Sequence, residues 1–125
     1  SELDDVFSQA LSLCSSNEEP LFFLRLARVR YDLASERKLL SGVQGMNSVR
    51  QLSLRAYSLA GIFQQSDVRC SAWQGYILAT RRYLELHPSS HIEDTLRRNI
   101  ASQATKECPL DDITLFTDPE RLFTH

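Results

Sequence analysis

The sequence predicts an all-α domain of about five antiparallel helices, packed as a bundle or a short helical-repeat array, with a short helix in its C-terminal tail. Three observations carry this. Apolar residues recur at three- and four-residue spacings along most of the chain, as amphipathic helices require. Capping residues, glycines and prolines punctuate those runs. No second alternating run exists with which a strand could pair into a stable sheet.

The first helix is expected over residues 3–14, where Leu3, Val6, Phe7, Ala10, Leu11, Leu13 and Cys14 share the helical spacing. Ser15-Ser16-Asn17 ends it. The second starts at Asn17, a capping residue, with Glu18 and Glu19 at the positive end of the helix dipole and Pro20 in the tolerant first turn. It runs to about Leu40. Two apolar rows, Phe22-Leu26-Val29-Leu33 and Leu24-Ala27-Tyr31-Ala34, give it a wide face and a central place. Arg28 and Asp32, four apart, can pair.

Residues 41–47 hold two helix-breaking glycines, Gly42 and Gly45, and read as a loop. Ser48-Val49-Arg50-Gln51 fits a capping box for a third helix, with Val49, Leu52, Ala56, Leu59, Ala60 and Phe63 on one face and its end near Gln65. Ser66 or Asp67 caps a fourth, which carries Trp73, Tyr76, Ile77, Tyr83 and Leu84 and is stopped by Pro88. Ser90-His91-Ile92-Glu93 caps a fifth, which ends at Cys108-Pro109. Residues 1–109 thus form the helical domain. Residues 110–125 form a tail that packs on it or docks to a partner, with Asp118-Pro119-Glu120 opening a short helix.

Size and composition narrow the function. A chain of 125 residues buries a core without disulfide or metal staples. Its longest fully apolar block, Leu21 to Leu24, is far too short to cross a bilayer, so no membrane partner is expected. Cys14, Cys70 and Cys108 are odd in number and widely spaced, which argues for reduced thiols in a cytoplasmic or nuclear, reducing compartment. Charge is uneven. Residues 1–20 carry five acids and no Lys or Arg, residues 21–106 carry thirteen Lys or Arg against six acids, and residues 107–125 carry five acids and Arg121.

Some of the punctuation resembles a known family. Tyr83-Leu84-Glu85-Leu86-His87-Pro88 looks like the end of a tetratricopeptide repeat, and Ala56-Tyr57-Ser58-Leu59-Ala60-Gly61 is similar to that repeat's first helix. Ala10-Leu11-Ser12-Leu13, then Asn17 to Pro20 and Leu26-Ala27, resembles a junction between repeats. Gly61 to Pro88 spans 27 positions, about three more than the family pattern, whose full repeat is about 34 residues. The resemblance implies a peptide- or protein-binding scaffold with a concave groove.

Chemistry is harder to find. His87 and His91 are separated by a helix stop, and neither a Cys-x-x-Cys nor a His-Glu-x-x-His is present, so no metal or cofactor is expected. Gly-x-Ser-x-Gly and Ser-x-x-Lys are absent, and the adjacent acid pairs point apart on a helix, so no catalytic residue stands out. The arginine-rich middle allows nucleic-acid binding as an alternative, but pI 5.9 opposes it. The favoured reading is a non-enzymatic interaction module: an adaptor, a scaffold or a chaperone-like subunit. It would bind a protein or peptide with exposed carboxylates through Arg50, Arg55, Trp73, Tyr76, Arg81 and Arg82, the residue types that dominate binding hot spots. A self-contact through Ile113, Leu115 and Phe116 would give a homo-oligomer.

Overall fold

A computed structural model of the chain describes residues 2–36, 39–86 and 115–125. They form an all-α bundle: α1 (Glu2–Ser12), a 3-10 turn (Ser16–Glu18), α2 (Glu19–Ser35), α3 (Leu39–Ile62), α4 (Ser66–Leu86) and the short α5 (Pro119–Thr124). No strand occurs among the described residues. The expected fifth helix at residues 90–108 and the pair His87–His91 lie outside them.

Helices α2, α3 and α4 are the body. α3 packs against both of the others, and α1 and α5 touch α2. α3 buries Met46, Val49, Ser53, Ala56 and Ala60, alternating three and four apart, so one seam stays turned inward for its whole length. It runs antiparallel to each neighbour. Arg55 lies over Phe23 while Gly45 meets Ala34, and Arg50 reaches Thr80 while Tyr57 meets Trp73. α3 ends where the Gln65 amide donates to the Ala60 carbonyl (2.9 Å) and the Gln64 amide to Gly61 (3.3 Å), with Gln64 left-handed at φ 56°.

Four sequence expectations are corrected by these helices. Residues 41–47 belong to α3 and are not a loop, and Ser48-Val49-Arg50-Gln51 is mid-helix and caps nothing. The reason is packing. A Cβ on Gly45 would stand 2.6 Å from the Ala34 Cβ, so glycine is what lets α3 reach α2. Correspondingly α2 ends at Ser35, short of Leu40. Asn17 does not cap α2: it sits in the 3-10 turn, and Glu18, which occupies the cap position, makes no side-chain cap bond.

The most enclosed helix is α4, not α2. Leu33 is exposed, whereas α4 buries residues on nearly every side, among them Ser71, Gly75 and Thr80, which carry no apolar signal. Cys14 is a free thiol, but Cys70 is disulfide-bonded, which corrects the reading of all three cysteines as reduced. Spacing along a chain does not report distance in space, so the argument for a reducing compartment lapses with it. No described helix is long and apolar enough to cross a membrane.

The tail packs on the bundle. Leu115, Phe116 and Leu122 are buried. Phe116 lies against Gly75, where a Cβ would come within 2.8 Å of the ring, and meets Tyr31 edge-on at 5.5 Å. The Leu115 amide donates to Ser71 Oγ (2.7 Å), and that hydroxyl donates to the Asp67 carbonyl (2.8 Å). Arg28 donates to the Phe116 carbonyl and also pairs with Asp32 at 3.0 Å, as the sequence spacing allowed. Arg25 Nε donates to Leu122 O (2.9 Å) and Nη2 to His125 O (3.2 Å). Asp118 caps α5 by accepting from the Arg121 amide, with Pro119 in its first turn, as expected.

Gly45→Ala tests the contact between α2 and α3. Helix propensity alone would raise stability by about 1 kcal/mol. The clash with Ala34 should outweigh this and lower stability by about 1–2 kcal/mol. Urea unfolding should find the loss, and most of it should return in the double variant with Ala34→Gly.

Candidate functional site

The arginine-aromatic residues singled out in the sequence do not form one surface. Three of them meet on the face where α3 lies against α4. Arg50, half-buried on α3, places its guanidinium 5.5 Å from the Tyr76 ring centre and 5.1 Å from that of Tyr83. Its Nε donates to Thr80 Oγ1 (3.0 Å) and its Nη1 to Asn47 Oδ1 (3.3 Å). Tyr76, Thr80 and Tyr83 follow one another at four- and three-residue spacings on α4, so one turn-by-turn row presents ring, hydroxyl and ring to the same guanidinium. Two aromatic faces and two acceptors fix the group. Nη2 has no partner among the described residues.

Trp73 adjoins this cluster, 5.4 Å from Tyr76 and 5.4 Å from Tyr57 between ring centres. It is 7% exposed, so it is a core residue backing the cluster and not a surface anchor. Its Nε1 has no acceptor among the described residues, and the same holds for the buried Ser53 hydroxyl.

The other three residues stand elsewhere. Arg55, exposed on α3, lies 4.7 Å over Phe23 of α2. Arg81 is exposed, and Arg82 pairs with Glu85 at 3.0 Å. At 100° per residue, Arg81 and Arg82 sit about 140° and 120° around α4 from Tyr76. Sequence reasoning missed Asn47, Thr80 and Tyr83 as parts of the Arg50 cluster. The row Tyr76-Thr80-Tyr83 was legible as a helical stripe. Asn47 was not, because it was placed in a loop.

A cavity of about 430 Å³ lies at the opposite end of α4. Cys14, Asn17, Glu18, Leu21, Phe22, Arg25, Gln65, Asp67, Val68 and His125 line it. His125 Nε2 is 2.9 Å from Asp67 Oδ2. The Cys14 thiol, just past the end of α1, donates to the Ala10 carbonyl of that helix (3.4 Å), so its hydrogen bond is spent there and not on the imidazole. Among the described residues no group of three or more His, Cys, Asp or Glu side chains could hold a metal.

Comparison with protein-family models, with curated proteins and with solved structures gives no match.

Arg50→Ala removes the donor that the buried Thr80 hydroxyl relies on, and should cost about 2 kcal/mol in urea unfolding. Arg50→Lys keeps the charge but loses the planar fork, and should recover less than half of that. Full recovery by lysine would show that charge alone matters at this position.

Proposed function

We propose that this protein is a non-enzymatic interaction module that binds a protein partner bearing exposed carboxylates. One observation carries the reading: Arg50 is held by Tyr76, Tyr83, Thr80 and Asn47, with its Nη2 unpartnered among the described residues. A guanidinium fixed in advance loses little side-chain freedom when a carboxylate arrives, so more of each hydrogen bond appears as affinity. The exposed Arg55 and Arg81 and the half-buried Arg82 widen the basic character of the same helices and would steer an acidic partner toward them. The resemblance to tetratricopeptide repeats supports the same class, a helical scaffold for proteins or peptides. An adaptor, scaffold or assembly subunit fits this reading.

Titration with a fluorescent Glu-rich helical peptide tests it. The wild-type chain should bind with an affinity that falls as salt rises. Arg50→Gln should weaken binding at least tenfold, whereas the double variant Arg81→Glu/Arg82→Glu, set away from the cluster, should weaken it less and mainly at low salt, with unchanged circular dichroism. Unaltered binding in all variants would remove this surface. Tighter binding to a single-stranded oligonucleotide, lost steeply with salt, would favour a nucleic-acid partner instead.

A further inference from the structure

The outer face of α1 is apolar and uncovered. α1 uses Phe7 and Leu11 to pack on α2, with Phe7 and Phe22 edge-on at 5.9 Å. Helical geometry puts Val6, Ala10 and Leu13 on a second stripe, turned away from the first. Val6 is 60% exposed and Leu13 87%, with Ala10 half-exposed between them. A helix that spends only one of two apolar stripes on its own core leaves the other available for a partner helix.

The stripe leads to the cavity at this end of the bundle. Cys14 follows Leu13 and lines the cavity wall, and Phe123, 49% exposed, lies two residues before His125 on the other side. Leu21, Phe22 and Val68 make the wall apolar, while Glu18 and Asp67 bring carboxylates. Asp67 is held by the Val68 amide (2.8 Å) and by His125. Arg25 has two of its nitrogens on backbone carbonyls. About 430 Å³ accommodates a long side chain with room to spare.

Charge selects the occupant. Residues 1–24 contain Glu2, Asp4, Asp5, Glu18 and Glu19 and no Lys or Arg. A basic partner complements these acids, whereas a second copy would bring the same acidic segment with it. We propose that the outer stripe of α1 and the adjoining cavity form one docking site for a basic amphipathic helix of a partner protein. The partner's apolar seam covers Val6, Ala10 and Leu13. A lysine or arginine beside that seam enters the cavity, its stem along Leu21 and Phe22 and its head toward Glu18 and Asp67. This site is separate from the Arg50 cluster and opposite to it in charge. An adaptor with both would hold an acidic and a basic partner at once.

The probe is a synthetic eighteen-residue helix with a leucine seam and lysine flanks; its control carries glutamate in place of lysine. The full chain, labelled with 15N, is titrated with each. Support is a Lys-helix titration that shifts the amides of Val6, Ala10, Leu13 and Glu18, with affinity falling as salt rises. Leu13→Asp and Glu18→Lys, both at exposed positions, should each weaken it at least tenfold without altering the fold. Comparable binding of the Glu helix, shifts confined to other faces, or affinity untouched by both variants would overturn the proposal. So would a dimer, seen by sedimentation, that Leu13→Asp dissociates, because a second copy would then cover the stripe.

Discussion

The segment 115–125 is held in the cleft beside α2 and α4 by a contact that only glycine permits. Phe116 lies so close to Gly75 that any side chain on that residue would strike the ring. Around this contact the backbone of the segment is satisfied by side chains of the two helices. Ser71 takes the Leu115 amide, Arg28 the Phe116 carbonyl, and Arg25 the carbonyls of Leu122 and His125. A short chain segment has too few hydrogen bonds of its own to stay folded, and buried amides and carbonyls cannot be left unmade. The bundle therefore supplies both the apolar pocket and the polar partners. Arg25 and Arg28 look like surface charges in the sequence, yet they act as structural donors to the tail.

The helical class and the capping of α5 were legible because each depends on local chemistry, whereas Ser66 and Asp67, read as caps, lie inside the first turn of α4. Periodicity reports which side of a helix is apolar, and Asp118-Pro119 reports a helix start wherever it occurs. What was not legible depended on close approach. Gly42 and Gly45 looked like helix breakers, but α3 passes through both, and at Gly45 the bare backbone is what lets it come so close to Ala34. The enclosure of α4 was hidden for the same reason. Its buried glycine, serine and threonine serve a ring, an amide and a guanidinium from other elements, and none of those services leaves an apolar mark. The disulfide at Cys70 depends on proximity in three dimensions, which spacing in a sequence does not encode.

The candidate site was legible in part. Arg50, Trp73 and Tyr76 do come together, since a residue near the middle of one helix of an antiparallel pair meets the middle of the other. Tryptophan's role changed on packing: at 7% exposure it stiffens the cluster from behind. Arg55, Arg81 and Arg82 were joined to that group by residue type alone, and rotation around the helices separates them. The two surfaces now argued for differ in how they work. The Arg50 cluster offers a fixed polar edge, whereas α1 offers an apolar stripe beside a cavity where Glu18 and Asp67 stand with Arg25 and His125. Both follow from one division of labour, in which α2, α3, α4 and the tail make the core and leave the outer faces of α1 and the α3–α4 ridge outside it.

The dependence of the tail on a bare backbone at residue 75 can be measured most directly with a double-mutant cycle between Gly75→Ala and Phe116→Ala, read by urea unfolding. In the wild-type background Gly75→Ala should cost about 2 kcal/mol, because the new methyl overlaps the ring. In the Phe116→Ala background the same change should be neutral, or stabilising by up to about 1 kcal/mol as helix propensity asserts itself. An equal effect of Gly75→Ala in both backgrounds would contradict the account, since the two residues would then not share a contact on which the tail relies.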